Sequence, residues 1–488
     1  MITLGIDCGT QSTKTIALDG ETGAILASAS KSYGLLPDLP LGHLEQDPQE
    51  WIAALDETIE KVLRDLGDRR REVSGIGISG QQHGFVPLDA QGKVLRPAKL
   101  WCDTSTIGQC DEIRNHFGGR DSLIELIGND MLPGFTAPKI LWLKQNEPEN
   151  FKKLHRILLP HDYLNLYLTG QMSMEYGDVS GTALLNVKNK TWSLDLCNFI
   201  DPALVSKLPP LRSSQVPAGV LKPELLQKWN LNHVIISAGG GDNMMGAIGT
   251  GNITDGVVTA SLGTSGTIYA FSSKPIIDPQ GEIAAFCDST DGWLPLLCTM
   301  NVTVATEAIS KMFEWNHQQL SDAIHSIPPG AEGVLFIPYL QGERTPNLPH
   351  GTGTFHGLNL RNMTPAHLAR ATMEGVTLGM TYGLRRLQAL GINPREIRLT
   401  GGGSKSAIWR QICADLFECP VVALQSAEGA ALGGALQSLS LCLNQPLSTL
   451  CSKFVQRDES TRTLPKNSAA YAGRLDQMIT LVQKIYGI

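Results

Sequence analysis

Ile2-Thr3-Leu4-Gly5-Ile6-Asp7, then Cys8-Gly9-Thr10-Gln11-Ser12-Thr13, then Lys14-Thr15-Ile16-Ala17-Leu18-Asp19 reads as strand, small polar turn, strand. A second turn at Gly20-Glu21-Thr22-Gly23 leads to a third strand near Ala24 to Ser30, completing an antiparallel meander. The device recurs where Gly256-Val257-Val258-Thr259-Ala260-Ser261-Leu262 is followed by Gly263-Thr264-Ser265-Gly266-Thr267 and Ile268-Tyr269-Ala270-Phe271. Gly9 and Gly263 stand about half the chain apart, which predicts two similar halves that each open on a Gly/Thr/Ser hairpin. Apolar runs (Val73 to Ser79, Val234 to Ala238) alternate with helical patterns such as Trp51 to Leu66. Further on, Pro365 to Leu390 and Ala407 to Phe417 read as helices and Glu396 to Thr400 as a strand, and this alternation predicts α/β layers. The boundary is expected near residues 235 to 250, giving domains 1–240 and 241–488. The helical stretch Ala469 to Tyr486 fits either half, including a return to the first.

A chain of 488 residues, 42% hydrophobic and 18% charged, is too long for one ordinary core and has globular composition. Its net charge is -7 and its longest basic run is Arg69-Arg70-Arg71, so neither nucleic acid nor an anionic membrane is an expected partner. No apolar stretch approaches the ~18 residues of a membrane span, and the first residues enter a strand pattern directly, so a cytoplasmic protein is expected. The ten cysteines have no C-x-x-C pair and no local His partners, which suits reduced, buried thiols rather than structural zinc.

A tight turn of glycine and hydroxyl residues exposes backbone N–H groups that can cradle phosphate oxygens. Gly9, Thr10, Gln11 and Ser12, with Lys14 just beyond, fit that description, as do Gly263, Thr264 and Ser265. Placed at matching points of two halves, the pair is expected to grip one polyphosphate. Asp7 ends its strand immediately before the first turn, where a carboxylate suits Mg²⁺ held through water, with Asp242 as the second candidate ligand. Gly401-Gly402-Gly403-Ser404-Lys405-Ser406 follows a strand and precedes a helix, so a flat ligand can approach the glycines while Ser406 lies at the helix start. The spacing is neither that of a P-loop nor that of a dinucleotide fingerprint.

Gly239-Gly240-Gly241 separates the strand Ile235 to Ala238 from a helix opening at Asp242-Asn243. An N-cap is the simplest role for such an Asp, but three glycines suggest cleared space around a working carboxylate. The helix dipole is expected to depress the pKa of Asp242 and keep it ionised. Asp242 is then the candidate general base, with Asn243 beside it on the substrate side. Gly80-Gln81-Gln82-His83-Gly84 and Trp101-Cys102-Asp103 offer amide, imidazole, indole and carboxylate groups near glycine turns, a set that suits a polyol. Gln82, His83, Trp101 and Asp103 are therefore candidate substrate contacts.

With these residues the chain resembles the FGGY carbohydrate kinases. Gly134-Phe135-Thr136-Ala137-Pro138-Lys139-Ile140-Leu141-Trp142-Leu143-Lys144-Gln145-Asn146 is similar to the first family signature. Gly353-Thr354-Phe355-His356-Gly357-Leu358, continued through His367-Leu368-Ala369-Arg370-Ala371-Thr372-Met373-Glu374, is similar to the second. The resemblance implies two actin-like (RNase-H-like) ATPase domains, with MgATP held mainly by the second and a sugar mainly by the first. It also implies a homodimer and Asp242 as the base in phosphoryl transfer to a ketopentose, D-xylulose foremost, with ribulose, gluconate and glycerol as alternatives. Tyr339-Leu340-Gln341-Gly342-Glu343-Arg344-Thr345-Pro346 also resembles a family segment, and a buried ion pair between Glu343 and Arg344 is one reading of it. Family members acting on ketopentoses often carry Asn after the Trp and a basic residue after the Asp, whereas this chain has Cys102, Thr104 and Ser105. An actin-like assembly ATPase would share the paired hairpins but has no need of the polyol cluster.

Overall fold

The computed structural model describes residues 1–426 and 428–487. The first sheet contains β1 (Ile2–Cys8), β2 (Ser12–Asp19), β3 (Ile25–Ser32), β4 (Val73–Gly80), β5 (Gly219–Val220), β6 (Ile235–Ile236) and β7 (Gly240–Gly241). Its order is β5-β6-β4-β1-β2-β3, with β7 also pairing on β4. The second sheet contains β8 (Val257–Leu262), β9 (Gly266–Ala270), β10 (Leu296–Thr299), β11 (Glu396–Thr400) and β12 (Val421–Ala423), in the order β10-β9-β8-β11-β12. Each sheet is thus a three-stranded antiparallel meander with two parallel strands added beside its first strand. That shared order is the repeat predicted from the two hairpins, and the chain is a two-domain α/β fold.

Local chemistry accounts for the main elements. In β1 the alternating Ile2, Leu4, Ile6 and Cys8 are completely buried, as period-two patterning requires. Helix α1 (Pro48–Leu66) starts with the Asp47 carboxylate accepting from the Gln49 amide and Pro48 at its first position. Its Trp51, Leu55, Ile59, Val62 and Leu66 form the stripe that packs on β2 and β3. Arg69 of the basic triplet pairs with Asp19 and Glu72. The ten cysteines are free thiols, most of them buried. No helix among the described residues is long and apolar enough to cross a membrane.

The remaining helices used below are α2 (Asp242–Gly249), α3 (Pro365–Ala389), α4 (Ala407–Phe417), α5 (Gly429–Leu443) and α6 (Arg474–Tyr486). Helix α5 follows the second sheet in the chain yet packs on β1 and β4 of the first and on α2. It comes so close that side chains are excluded. A Cβ on Gly5 would lie 1.8 Å from the Ala431 carbonyl oxygen, and one on Gly77 would lie 2.0 Å from that of Gly434. On the other flank, a Cβ on Gly249 would lie 1.7 Å from the Gly429 oxygen, and one on Gly433 would lie 1.9 Å from that of Met245. Thr3 on β1 spends its hydroxyl on the Ala435 carbonyl at 3.0 Å.

The C-terminal helix packs on one of the two halves that the sequence leaves open. Met478 and Val482 of α6 belong to the core of the second half, and α6 contacts α3 and the strand Leu335–Pro338. Its apolar stripe is matched there rather than on the first half, and α5 is the segment that reaches back. Similarly, the second signature stretch is structural. In α3 the Arg370 guanidinium donates to Glu374 Oε1 at 2.6 Å, and the Tyr471 hydroxyl donates to the same oxygen at 2.8 Å.

The close approach of α5 gives a direct test. Gly5→Ala is expected to lower stability by more than ~2 kcal/mol, because backbone rather than a movable side chain must give way. Gly108→Ala, whose new methyl meets nothing within 4 Å, should leave the urea midpoint unchanged or raise it. Equal midpoints for both variants would show that the contact is not tight.

Candidate active site

Strand register assembles the site at the C-terminal ends of parallel strands. Asp7 lies opposite Ser79 across β1 and β4, and Ser79 lies opposite Gly240 on β7, two residues before Asp242. Asp7 and Asp242 are thereby brought to one end of the sheet. The Ser79 hydroxyl donates to Asp7 Oδ1 at 2.9 Å. Burial raises the pKa of Asp7 above the ordinary carboxylate value, and the nearby Glu428 adds to the rise. Burial likewise raises Asp242, to about 7, reinforced by repulsion from Asp7 and Asp178.

This reverses the expectation of a depressed pKa. The N-cap of α2 is Gly241, so Asp242 is not the cap, and desolvation beside two other carboxylates outweighs the helix dipole. The triple glycine also differs from its expected role. A Cβ on Gly239 would stand 2.5 Å from the Ile78 oxygen, on Gly240 2.4 Å from Ser289 Oγ, and on Gly241 2.7 Å from Gln82 Cγ. These glycines let the bend pack tightly rather than clear space. Gln437 of α5 grips the bend, accepting from the Gly239 amide at 2.8 Å and donating to its carbonyl at 3.2 Å.

The Asn243 amide nitrogen donates to Asp242 Oδ1 at 2.9 Å and to Gln82 Oε1 at 2.6 Å, and the Gln82 amide reaches Met244 Sδ at 2.9 Å. Asp242, Asn243 and Gln82 therefore form one chain of polar groups. His83 is buried with Nδ1 3.2 Å from Asp178 Oδ1. Trp101 Nε1 donates to Thr10 Oγ1 at 3.0 Å, and that hydroxyl donates to Gln81 Oε1 at 3.2 Å. The first hairpin and the polyol cluster are thus directly connected.

Asp103 is the exception in that cluster. It is fully buried, accepts from the Leu44 amide at 2.9 Å, from Ser105 Oγ at 2.5 Å and from Lys99 Nζ at 3.2 Å. Burial alone would raise its pKa, but Ser105, Leu44 and Lys99 together hold it below the ordinary value. Its oxygens brace the loop that carries Trp101 instead of facing a ligand, and Ser105 is spent in the same network. His43, Glu45 and Asp103 lie close enough to share an ion, but Lys99 Nζ sits 3.0 Å from Glu45 and 3.2 Å from His43 and supplies the cation itself.

Of the turns expected to hold a polyphosphate, the first is held by the Gly9 amide donating to the Ser12 carbonyl at 3.0 Å and Tyr33 donating to the Gly9 carbonyl at 2.7 Å. Gln11 projects outward, and Lys14 pairs with Glu428 at 2.5 Å. The Gly263 and Thr264 carbonyls accept from Thr303 and Val302 at the start of helix Thr303–Met312. Gly401, with φ +79, approaches so closely that a Cβ would lie 3.0 Å from the Gly263 nitrogen, while Gly402 borders open space. Those contacts bring the Gly263 to Ser265 and Gly401 to Gly403 turns side by side. The Ser406 hydroxyl is the N-cap of α4, accepting from the Trp409 amide at 3.3 Å, so helix capping rather than a ligand accounts for it.

Asp178 escaped the sequence reading, which also did not suggest the contacts that Arg344 and Lys139 make. Asp178 contacts His83, and Arg344 lies over the Trp101 ring, 5.9 Å from its centroid. The Arg344 guanidinium forms no ion pair with Glu343, whose buried carboxylate accepts from the backbone amides of Met300 at 2.7 Å and of Arg344 itself at 2.8 Å. Glycines at 177 and 181 around Asp178 were the available signal. Lys139 of the first signature donates to the His83 carbonyl at 3.2 Å and to that of Gly134 at 2.6 Å.

Comparison with known proteins matches the chain to two family models in succession. The family model described as the FGGY family of carbohydrate kinases, N-terminal domain, matches residues 2–249, and its C-terminal counterpart matches 258–440. The chain is 40% identical to a xylulose kinase from Haemophilus influenzae, covering 99% of this chain and 100% of the relative. Among solved structures, a xyloylose kinase from Brucella ovis superposes with a TM-score of 0.94 at 30% identity, covering 100% of both chains. A gluconate kinase from Lactobacillus acidophilus superposes with a TM-score of 0.91 at 25% identity, covering 100% of this chain and 97% of that one. On this likeness, and with Asp7 and Asp242 set beside Asn243, Gln82 and glycine turns, the chain belongs to the FGGY family of carbohydrate kinases.

Proposed function

We propose that the chain transfers the γ-phosphoryl group of ATP to the terminal hydroxyl of a ketopentose, converting D-xylulose to D-xylulose 5-phosphate, with Asp242 as the base. The observation that carries this reading is the Asp242 carboxyl, raised to about 7 by burial and by Asp7 and Asp178 and joined through Asn243 to Gln82. A base with that affinity is matched to neutral pH, where its charged form can take a proton without being a weak acceptor. Asn243 holds Oδ1 and leaves the second oxygen for the sugar hydroxyl. The bond formed joins the sugar oxygen to Pγ, the bond broken is that from Pγ to the β-bridging oxygen, and the proton goes to Asp242.

Gln82, His83 and Trp101 would orient the sugar on the first half. The Gly9 to Ser12, Gly263 to Ser265 and Gly401 to Gly403 turns would hold ATP, the open surface at Gly402 giving a flat base its approach. Asp7 and Asp242, with the Ser79 hydroxyl, are oxygen donors of the kind Mg²⁺ takes, and the raised pKa of both carboxyls is the mark of a site short of positive charge. When bound, Mg²⁺ supplies neutralisation of the polyphosphate.

A sugar panel tests the substrate. ADP release should be slow without sugar, strongly stimulated by D-xylulose, and lost on chelation until Mg²⁺ is restored. The kcat/KM for D-xylulose should exceed those for D-ribulose, gluconate and glycerol by at least ~10-fold, one missing substrate hydrogen bond's worth of discrimination. A higher value for any of the other three would reassign the substrate.

Protonation gives an independent test of Asp242. Its native pKa of about 7 lies above the ordinary carboxylate value of 3.8, so between these values the native state binds more protons than the unfolded chain. This group therefore removes stability as pH rises from about 4 to about 7, and its full cost is present above that. Asp242→Asn should raise the thermal midpoint at about pH 8, with the gain shrinking toward about pH 4, while turnover falls by at least ~10². A pH-independent midpoint difference, or near-normal turnover in the folded variant, removes Asp242 from this role.

A further inference from the structure

One imidazole is held from every side. His83 has φ +57, a conformation uncommon outside glycine. Its carbonyl accepts from Thr136 Oγ1 at 3.0 Å and Lys139 Nζ at 3.2 Å, and its amide donates to Asp178 Oδ1 at 3.1 Å. The same oxygen lies 3.2 Å from Nδ1. Gly181 presses on the ring so closely that a Cβ would stand 1.8 Å from Cε1, and Phe135 and Phe286 flank it at 5.6 Å and 5.4 Å between centroids. Nε2 is the one polar atom of the ring left without a protein partner among the described residues.

Behind Asp178 lies a second, completely buried imidazole. Asp178 Oδ2 is 3.2 Å from His161 Nδ1 in a hydrogen bond, and Asp162 Oδ1 is 3.0 Å from His161 Nε2, an ion-pair distance without hydrogen-bond alignment. Burial works against charge on His161, but Asp162 and Asp178 raise its pKa well above the usual value. Burial would raise Asp178, yet His161 and His83 hold it down at about 2. Asp178 and His161 thus form an ion pair. Burial lowers the pKa of His83 despite its bond to Asp178, and Lys139 contributes in the same direction.

We infer that Asp178 and His161 are positioning residues for the phosphoryl acceptor: their ion pair fixes the neutral, Nδ1-protonated form of His83 and leaves Nε2 to accept a hydrogen bond from a sugar hydroxyl. The inference rests on the reading above in which His83 meets the sugar. The carboxylate sets the tautomer, because Nδ1 must donate to it. The imidazolium cancels that carboxylate's charge. Without it, Asp178 would draw a second proton onto His83, and Nε2–H would then donate where it now accepts. The titratable groups that set this balance are Asp178 and Lys139 around His83, with burial lowering Lys139 to about 7, and Asp162, Asp178 and Glu175 around His161, with Asp242 beyond Asp178.

Histidine ¹⁵N spectra of the full-length enzyme, with steady-state kinetics of folded variants, test this. The spectra should show His83 bare at Nε2 and protonated at Nδ1 near neutral pH, and His161 protonated at both nitrogens. Asp178→Asn and His161→Gln should each raise the sugar KM about tenfold, the scale of one hydrogen bond, with the ATP KM changed less than about twofold. In His161→Gln the His83 titration should move to higher pH, a shift that mere loosening of the core would not produce. If His83→Ala leaves the sugar KM unchanged, the underlying placement of the sugar fails. If His83→Ala raises it while wild-type His83 carries its proton on Nε2, or while folded His161→Gln keeps a normal sugar KM and an unmoved His83 titration, the inference is overturned. Should Asp178→Asn not fold, the wild-type spectrum and His161→Gln still decide.

Discussion

The backbone of α5 lies directly on the backbones of β1, β4 and α2, and the rest of the architecture depends on that contact. Glycine is required on one side or the other at each crossing: Gly5 against Ala431, Gly77 against Gly434, Gly249 against Gly429, and Gly433 against Met245. Dispersion falls steeply with separation, so backbone contact at this range gives α5 a packing density that no larger side chain would allow. The consequence is functional as well as structural. Gln437, on the same helix, holds both backbone groups of Gly239, so the segment that returns from the second half fixes the bend leading to Asp242.

That bend delivers a carboxylate into a poor electrostatic environment. Burial is the main cause of the raised pKa of Asp242, with repulsion from Asp7 and Asp178 added to it, and burial with Glu428 raises Asp7. The molecule treats the three differently. Asp178 is paired with the His161 imidazolium and accepts a hydrogen bond from His83, whereas Asp7 has only Ser79 and the more distant Lys14 to lower its pKa. Uncompensated negative charge is therefore concentrated where the proposed metal and acceptor hydroxyl would meet. Stored electrostatic strain of this kind is released by a cationic ligand and exacts its cost in the free protein.

The two sides of the site are coupled through Thr10. Its hydroxyl accepts from Trp101 and donates to Gln81, while its carbonyl accepts from Gln46 at 2.6 Å. A residue of the first glycine turn is thereby a structural partner of the indole in the polyol cluster. Arg344 reaches the same indole from the second half, so Trp101 is touched by groups from both domains. Asp103 and Lys99 form the buried base on which that loop stands.

The two meanders, strand Glu396–Thr400 and helix Ala407–Phe417 were legible in the sequence because hairpins and amphipathic periods are local and need no distant partner. Asp7, Asp242, Gln82 and His83 were legible as candidates because polar residues beside glycine turns announce an accessible site. What these groups do to one another was not. The pKa of Asp242 follows from its burial and from Asp7 and Asp178, both remote in sequence, and a helix-start argument sees only the dipole. The burial of Asp103, the capping role of Ser406 and the packing of Gly239 to Gly241 depend on neighbours that no spacing reveals. The sequence by itself determined the elements and the chemical groups at their ends. The tertiary structure alone decided their protonation, their pairing and which of them remain free for a ligand, because charge interaction and burial depend on distance in space rather than on separation along the chain.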